Sequence, residues 1–492
     1  MITKDEFYEL ANQGYNRIPL VREMLADLDT PVSAFVKLVN GPYSYLFESV
    51  QGGENWGRYS IIGLPCHTII RIRDHIIKII KDNEIIEEVT TADPLAWVEE
   101  FKARLHVATL PNLPPFTGGL VGYFGFDTVR YIEPRLGPCP NQDPLGNPDI
   151  LLMVSEEIAV FDNLSNKLYL ILQVNPESPL AYEKAEQHLE ELTRRLRKPV
   201  SLPLVAHQVP SEVTEENFIS NTSRENYDQS IQQIQDYIHA GEVMQVVYSQ
   251  RWRIPYHASP YALYRALRCM NPAPYMYYLD LDKLYIVGSS PEILVRLTDN
   301  QVTVRPIAGT RQRGKTVAED QALEKELIND PKEIAEHLML IDLGRNDIGK
   351  VSKIGSVQVV EQMIVERYSQ VMHMVSEVVG ELREGLSAMD VLRATFPAGT
   401  LTGAPKVRAM QIIDELETLR RGIYGGAVGY LGWSGNLDTA IAIRTAVIKD
   451  GFLHIQAGGG IVANSTAEGE WEESRRKARA LFRAVQMAEG GF

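Results

Sequence analysis

Apolar side chains in the first 200 positions cluster in several short, strand-like segments, one of which alternates apolar and polar residues with the period of a half-buried β-strand. This segment is 68–80, where isoleucines alternate with polar residues. The other predicted strands are Val32–Leu38, Tyr43–Ser49, Tyr59–Ile62, a glycine-punctuated pair over Phe116–Asp127, and strands near 150–173. Predicted helices are Asp93–Leu105, 181–197, and an amphipathic helix with a connector within 1–30. This half is therefore predicted to be rich in β-hairpins.

The second half begins after a stretch without periodicity. Residues 198–223 contain Pro, Ser and paired Glu, as a linker would, so we predict domains over 1–197 and 224–492. A helix over Tyr227–Ala240 and a strand over Met244–Arg253 follow, and later helices and strands lack the regular spacing of βαβ units. We therefore predict an α+β fold of antiparallel β-sheets packed with helices rather than a doubly wound fold.

A predicted helix starting at Pro331 carries the first candidate chemistry. Asp330 can cap it, and Pro331 suits its first position. Glu333 and Glu336 are three residues apart and project from one face. Taken alone, Glu333 is explained as the carboxylate of a capping box. Glu470 and Glu473 repeat the spacing in a second helical segment, which favours a functional role for both pairs.

The two glutamate pairs predict a metal site if their helices meet. At about 6 Å and an effective dielectric constant of about 20, each pair of carboxylates would repel by roughly 3 kcal/mol. A divalent cation would relieve that repulsion, and a set of carboxylate oxygens suits Mg²⁺ with several waters retained. Whether the helices meet is decided by the tertiary structure.

Composition and charge restrict the class of protein. The chain has 492 residues, 45% apolar and 23% charged, which is typical of a soluble globular protein with more than one domain. Its net charge of −15 argues against a general nucleic-acid or membrane-surface binder. An anionic ligand would therefore need cationic side chains close to it.

Cysteines and the first residues indicate the compartment. Cys66, Cys139 and Cys269 form no CxxC motif and no disulfide framework. Acidic residues occupy the start of the chain, where a signal peptide needs an apolar core, and no window approaches a membrane span. We expect a cytoplasmic protein.

Nine segments are individually weak signals and jointly specific. They are Leu46–Ser49, Gly52–Arg58, Gly241–Gln250, Ser290–Glu292, Pro306–Arg311, Glu333–Asp347, Phe396–Lys406, Gly425–Gly426 and Ala457–Ala463. Together they resemble the chorismate-binding enzyme family, and within it the large subunits of anthranilate synthases. The resemblance extends over nearly the whole chain and is weakest in 64–110 and 175–225.

The resemblance implies a substrate and a metal. The substrate would be chorismate, a dianion with a ring carboxylate and an enolpyruvyl carboxylate. Mg²⁺ held by Glu336 and Glu473, with Glu333 and Glu470 supporting it through water, would bind the ring carboxylate. The ion would act as a Lewis acid and a template rather than as a source of hydroxide.

The resemblance also assigns cationic and hydrogen-bonding groups. Arg444 and Lys477 match positions that hold the two carboxylates, although an isolated Arg or Lys is more often a surface charge. Tyr424 and the backbone amides of a glycine run would complete the enolpyruvyl pocket. The run is Gly458, Gly459 and Gly460. Without the resemblance such a run would be interpreted as a turn.

By the same resemblance, three residues are candidates for catalysis. Glu292 would act as the general acid that protonates the departing C4 hydroxyl, which requires a raised pKa. His373 would take part in proton abstraction at C2, although a lone histidine among Met and Val is more often a core residue. Thr400, together with Gly309 and Thr310, would contact the substrate.

Two positions distinguish the family members. Isochorismate- and salicylate-forming relatives carry a lysine that activates water where this chain has Gln245. Aminodeoxychorismate synthases typically carry a nucleophilic lysine where this chain has Ala308. Ammonia is already a nucleophile and needs no such base. The residues therefore favour amination at C2 and pyruvate elimination to give anthranilate, the first committed step of tryptophan biosynthesis.

The resemblance further implies partners and regulation. None of the cysteines lies in a glutaminase nucleophile turn, so a separate glutamine amidotransferase subunit would supply ammonia, in a hetero-oligomer. Tryptophan would bind and inhibit through the first half, where Phe47 departs from the family's Leu-Leu-Glu-Ser segment. The site would comprise Glu48, Ser49, Asn271, Pro272, Tyr275, Met276 and Tyr430. Two alternatives stay open: an aminodeoxychorismate synthase, and a catalytically silent tryptophan-binding regulatory subunit.

Overall fold

The computed structural model describes residues 2–51, 55–200, 213–368 and 371–491. Its helices are α1 Lys4–Asn12, α2 Pro31–Leu38, α3 Pro94–Ala103, α4 Val129–Ile132, α5 Ala181–Leu196, α6 Arg224–His239, α7 Pro260–Met270, α8 Val317–Asn329, α9 Pro331–Gly349, α10 Ala388–Thr395, α11 Lys406–Leu416 and α12 Ala467–Gly490. Short 3₁₀ turns lie at Phe126–Thr128, Pro134–Leu136, Glu215–Asn217 and Gly399–Leu401.

The strands of the first half are β1 Ile18–Leu25, β2 Ser44–Glu48, β3 Val50–Gln51, β4 Asn55–Trp56, β5 Tyr59–Gly63, β6 Thr68–Arg73, β7 Ile76–Lys81, β8 Glu84–Thr90, β9 Gly119–Phe124, β10 Ile150–Ser155, β11 Glu157–Asp162 and β12 Lys167–Val174. Those of the second half are β13 Ile219–Ser220, β14 Gln245–Pro255, β15 Tyr275–Asp280, β16 Leu284–Ser290, β17 Ile293–Thr298, β18 Gln301–Val304, β19 Ile307–Gln312, β20 Gln358–Arg367, β21 Val371–Glu381, β22 Gly403–Ala404, β23 Ala427–Gly432, β24 Leu437–Ile441, β25 Thr445–Lys449 and β26 Phe452–Ile461.

Apart from β3 and β4, which pair only with each other, these strands form two large sheets in which the named neighbours pair antiparallel. The first has the order β1-β12-β11-β5-β2-β15-β16-β25-β26-β14-β13, and β22 also pairs with β14. The second has the order β19-β21-β18-β17-β24-β23-β9-β10-β6-β7-β8, and β20 also pairs with β21. The predicted α+β class with antiparallel sheets and helices is confirmed.

The two sheets pack face to face with helices outside them. Side chains of both sheets, such as Tyr45 and Tyr123, share one buried cluster between the sheets. The outer face of the first sheet packs on helices that include α5, α7 and α12, and the outer face of the second packs on α3 and α10. The site elements α9 and α12 therefore lie beside strands from different sheets.

Both sheets combine strands from the two predicted sequence domains. Strand β2 pairs with β15, with Glu48 opposite Met276, and β9 pairs with β23. The division into 1–197 and 224–492 stays a prediction, and 201–212 of the predicted linker lie outside the described residues, as do 52–54 of the first-half motif.

Several predicted elements need correction. Val32–Leu38 is helical because Thr30 and Ser33 form a capping box and Pro31 occupies the first turn. Residues 1–30 contain strand β1 as well as a helix. The alternating 68–80 run is two strands joined at Asp74 and His75, which both have positive φ as a tight hairpin turn requires. The predicted strand pair over Phe116–Asp127 is the single strand β9.

In the part of the chain that the structure describes, no helix combines the length and apolar character needed to cross a membrane.

Candidate active site

Helices α9 and α12 bring the two glutamate pairs to one site. Asp330 caps α9 through the amides of Lys332 and Glu333, as its sequence predicts. Glu336 lies near enough to Glu473 of α12 for the two charges to interact. A Cβ atom added to Gly459 of β26 would lie 2.4 Å from Glu470 Oε2, so the Glu470 carboxylate lies directly against the backbone of the glycine run.

The electrostatics of this cluster leave negative charge uncompensated. Burial, reinforced by Glu333, raises the pKa of Glu336, and burial also raises that of Glu470. Burial would raise the pKa of Glu473 too, but the charge and the hydrogen bond of Lys477 oppose it, and the pKa of Glu473 is lowered. Lys477 Nζ lies 2.8 Å from Glu473 Oε1. Glu333 is paired with Arg311 at 3.2 Å. A cation is therefore favoured here.

The oxygen donors of the four glutamates are of the type that binds Mg²⁺. Glu470 Oε2 is buried and makes no hydrogen bond, as an oxygen meant for an ion would. All four side chains supply the hard oxygen ligands that Mg²⁺ prefers. Across 2–51, 55–200, 213–368 and 371–491, no three His, Cys, Asp or Glu side chains yet converge as a ready metal-binding group. The residues thus suit the ion in charge and in the type of donor atom.

Glu292 follows strand β16 and is buried, with 8% of its surface exposed. Its backbone is anchored because its amide donates to Ser290 Oγ and its carbonyl accepts from the amide of Ile441. Burial raises the pKa of its carboxyl to about 8, although Thr400 and Lys477 pull the other way. Thr400 Oγ1 is itself buried without a hydrogen bond of standard geometry. Near neutral pH, Glu292 is a carboxylic acid with a proton to give.

His373 of β21 is held by the segment that carries Gly309 and Thr310. Its Nδ1 lies 3.2 Å from the carbonyl oxygen of Gly309 and 3.0 Å from Thr310 Oγ1. Gly309 has φ +64° at a bulge in β19, a conformation that favours glycine. Burial lowers the pKa of His373 to about 4, so the ring is neutral. Because a carbonyl only accepts, Nδ1 carries the proton and Nε2 is left as a base.

Arg444 is a largely buried cation in an unusual backbone conformation. Its φ is +51°, which costs energy for a residue with a side chain. Burial lowers the pKa of Arg444, while Tyr424 and Glu473 partly offset that effect. Within the described ranges, no carboxylate lies within salt-bridge distance of its guanidinium. A strained, partly buried arginine without a salt-bridge partner points to an anionic ligand.

Arg444, His373 and Thr310 line a cavity of about 740 Å³. Five arginines line it and no acidic residue does: they are Arg313, Arg444, Arg476, Arg479 and Arg483. The last three recur at helical spacing along α12, a signal visible in the sequence that our prediction missed. In a chain of net charge −15, this cavity supplies the local cations that an anionic ligand needs.

The remaining predicted substrate groups border the same region. Gln245 opens β14, where a Cβ on Gly460 would collide with its amide at 2.1 Å. Lys477 donates to the carbonyl of Gly458 at 3.0 Å, so in this conformation it contacts protein rather than a free space. Tyr424 is buried beside Arg421.

A second cavity, of about 290 Å³, contains most of the predicted tryptophan site. Its lining includes Glu48, Ser49, Tyr275, Met276 and Tyr430, as well as Phe47. Asn271 and Pro272 line the 740 Å³ cavity instead, and Pro274 lines both cavities. The 271–274 segment therefore lies between the two sites.

Comparison with known proteins agrees with this architecture. A model of the chorismate-binding enzyme family matches residues 46–483. The chain is 61% identical to anthranilate synthase component 1 of Pseudomonas aeruginosa over 99% of each chain, and 53% identical to that of Neisseria meningitidis serogroup B over 100% of each. The crystal structure of anthranilate synthase component I from Streptococcus pneumoniae TIGR4 is similar, with a TM-score of 0.78 and 36% identity, covering 94% of this chain and 99% of that one. The chain therefore belongs to the chorismate-binding enzyme family and, within it, groups with the component 1 chains of anthranilate synthases.

Proposed function

We propose that this protein aminates chorismate at C2 and eliminates pyruvate to give anthranilate. The observation that carries the proposal is the joint presence of the unpaired Arg444, the protonated Glu292 and the neutral His373 around one region. An anion holder, an acid and a base are what the reaction requires. The similar proteins named above as anthranilate synthase components support the same activity.

The chain's own residues account for the proton movements. Glu292 donates its proton to the C4 hydroxyl, which leaves as water while ammonia bonds to C2 and the two ring double bonds shift. The new ammonium group at C2 then releases one proton to become a neutral amine. His373, with Nε2 free, then removes the C2 proton as the bond to the enolpyruvyl oxygen breaks and the ring becomes aromatic. The departing enolpyruvate takes up a proton and becomes pyruvate. Arg444 holds a substrate carboxylate throughout, so the reacting carbons stay aligned with both groups.

Magnesium fits the carboxylate cluster as a bound cofactor. Glu336 and Glu473 would hold the ion, with Glu333 and Glu470 behind water, and it would supply Lewis-acid and template chemistry for the ring carboxylate. The unpartnered Glu470 oxygen supports this. Replacing Glu336 by Gln should abolish turnover and leave the fold intact; an unchanged rate would remove the metal assignment.

The direct experiment is product analysis with purified chain, chorismate, Mg²⁺ and ammonium at alkaline pH. Anthranilate fluorescence should grow with time. Isochorismate or salicylate without anthranilate would contradict the proposal, and so would a non-aromatic amine that needs a separate lyase, the product of an aminodeoxychorismate synthase. Ala308 and Gln245 favour the first outcome, because neither supplies a lysine.

A glutamine amidotransferase subunit is the proposed source of ammonia, and tryptophan the proposed inhibitor. The aromatic 290 Å³ cavity is suited to an indole ring, and the 271–274 segment offers a physical link to the larger cavity. Glutamine should support turnover only when the partner is added. A silent regulatory subunit would instead bind tryptophan in calorimetry without turnover or any Mg²⁺ requirement.

A further inference from the structure

A buried ion pair, Glu417 with Arg421, lies behind the proposed site and contacts none of the predicted reacting groups directly. Arg421 Nε donates to Glu417 Oε2 at 2.9 Å and Nη2 donates to Oε1 at 2.6 Å. Both residues are buried, with 6% and 4% of their surfaces exposed. Such a pair is on average no more stabilising than apolar residues of the same volume, so its value lies in its geometry.

The remaining donors of Arg421 reach two separate segments of backbone. Nη1 donates to the carbonyl of Leu401 at 2.6 Å, next to Thr400. Nη2 donates to the carbonyl of Val247 at 2.8 Å, two residues from Gln245 and on the same face of β14. A planar guanidinium can hold these directions at once, whereas a lysine ammonium cannot.

The pair also orients a third segment and is anchored to the sheet. The Arg421 guanidinium lies 5.6 Å from the ring centre of Tyr424 and 4.7 Å from that of Phe126. Glu417 Oε1 accepts from the amide of Ser249 at 2.9 Å and from its hydroxyl at 2.7 Å. Each of the three guanidinium nitrogens of Arg421 therefore donates at least one hydrogen bond, which fixes the plane of the group.

We propose that the Glu417–Arg421 pair is a positioning clamp that holds Thr400, Gln245 and Tyr424 in register around Glu292. The proposal rests on the amination of chorismate proposed above. It predicts that loosening the fork misplaces Thr400 and lowers the rate of the chemical step more than it weakens substrate binding.

The test compares Arg421→Lys with Arg130→Lys in the full chain, with ammonium as nitrogen source. Arg130 is a matched control because it joins Asp127 at 2.8 Å, Asp414 at 2.7 Å and the carbonyl of Gly137 at 3.0 Å. Both variants should lower the melting temperature. Only Arg421→Lys should lower kcat, by up to ~100-fold, with KM changed a few-fold.

A double-mutant cycle with Thr400→Val separates positioning from loss of stability. In the Arg421→Lys background, Thr400→Val should cost little more, because the hydroxyl is already misplaced; in the Arg130→Lys background its full effect should persist. Equal kcat for the two lysine variants, or effects that multiply at Arg421 and Thr400, would overturn the clamp.

Two further measurements keep the outcome decisive. If Arg421→Lys does not fold, as circular dichroism would reveal, Glu417→Gln enters the same cycle, since it keeps the shape and removes only the charge. Additivity with that variant would equally overturn the clamp. An unmodified chain that forms no anthranilate would refute the proposed function itself, a result distinct from either outcome of the cycle.

Discussion

The two cavities differ in how their charged groups are compensated. In the 290 Å³ cavity, Glu48 accepts from Arg268 at 2.8 and 3.0 Å and from the hydroxyl of Tyr264. Asp438 likewise accepts from Arg296 and from Tyr275, at 3.2 and 2.9 Å. These charges are satisfied without a ligand.

In the 740 Å³ cavity, Arg313 and Arg479 are paired with Asp320 and Glu215 at 2.9 and 3.0 Å, whereas Arg444 and the carboxylates near the cavity are the opposite case. No carboxylate of the described residues lies within salt-bridge distance of Arg444, Glu292 is kept protonated by burial, and Glu470 has an oxygen without a hydrogen bond. The first cavity is thus prepared to select a ligand by shape, whereas the second keeps unsatisfied charge that a ligand and an ion would neutralise. Changes that remove charge should therefore destabilise the first region and spare the second.

The largest expected effect is that of Glu292→Gln on turnover. Loss of the proton donor should lower kcat by about 10³-fold, since general acid catalysis typically supplies 10²–10⁴. Because the folded pKa is raised from the usual 4.5 to about 8, this carboxyl contributes stability at low pH that is lost as pH rises toward 8. The variant should therefore lose less stability than the parent between pH 5 and 9, measured by thermal melting. Retained turnover would exclude Glu292 as the acid.

In contrast to Glu292→Gln, Glu48→Gln should lower the free energy of unfolding. It leaves Arg268 with a weakened partner in a buried setting, and breaking a buried ion pair costs about 3 kcal/mol or more. Urea denaturation measures the loss, and Glu190→Gln, an exposed glutamate of α5, is the matched control. A cost as small as that of the control would mean that the Glu48 charge is not compensated as we infer.

Arg444→Gln should weaken substrate binding without loss of stability. A charge-assisted hydrogen bond contributes about 1.5–3 kcal/mol, so KM for chorismate should rise about 10- to 100-fold. The unfolding free energy should stay equal or increase, because a buried unpaired cation is removed. Arg194→Gln, on the exposed face of α5, controls for net charge. An unchanged KM would place the anion elsewhere.

The smallest expected effect is that of Phe47→Leu on tryptophan binding. Phe47 lines the 290 Å³ cavity, and an aromatic pair contributes about 0.5–1.5 kcal/mol beyond its burial. Calorimetry should show tryptophan binding about 3- to 10-fold weaker, with chorismate KM unchanged. Tighter binding would show instead that Phe47 narrows the cavity.

Local signals predicted much of this architecture. Asp330 and Pro331 define the start of α9, and Asp93 caps α3, because capping chemistry involves only neighbours along the chain. The strand predicted over Val32–Leu38 was wrong, because its apolar residues fit both the helical and the strand period. The capping box at Thr30 favours the helix that the structure shows. The arginine stripe of α12 was visible in the sequence, but its facing a cavity was not.

The sequence by itself determined the antiparallel α+β class, the helices that carry the glutamates, and the resemblance to the chorismate-binding enzymes, since these depend on residue order and short-range contacts. Only the tertiary structure decided which charges are compensated. Glu48 and Arg268, which form an ion pair, are 220 positions apart in the chain. Distant segments of the chain also bury Glu292, which keeps it protonated, and surround Arg444 without giving it a salt-bridge partner. Desolvation and pairing depend on what surrounds a side chain in space, which no local pattern encodes.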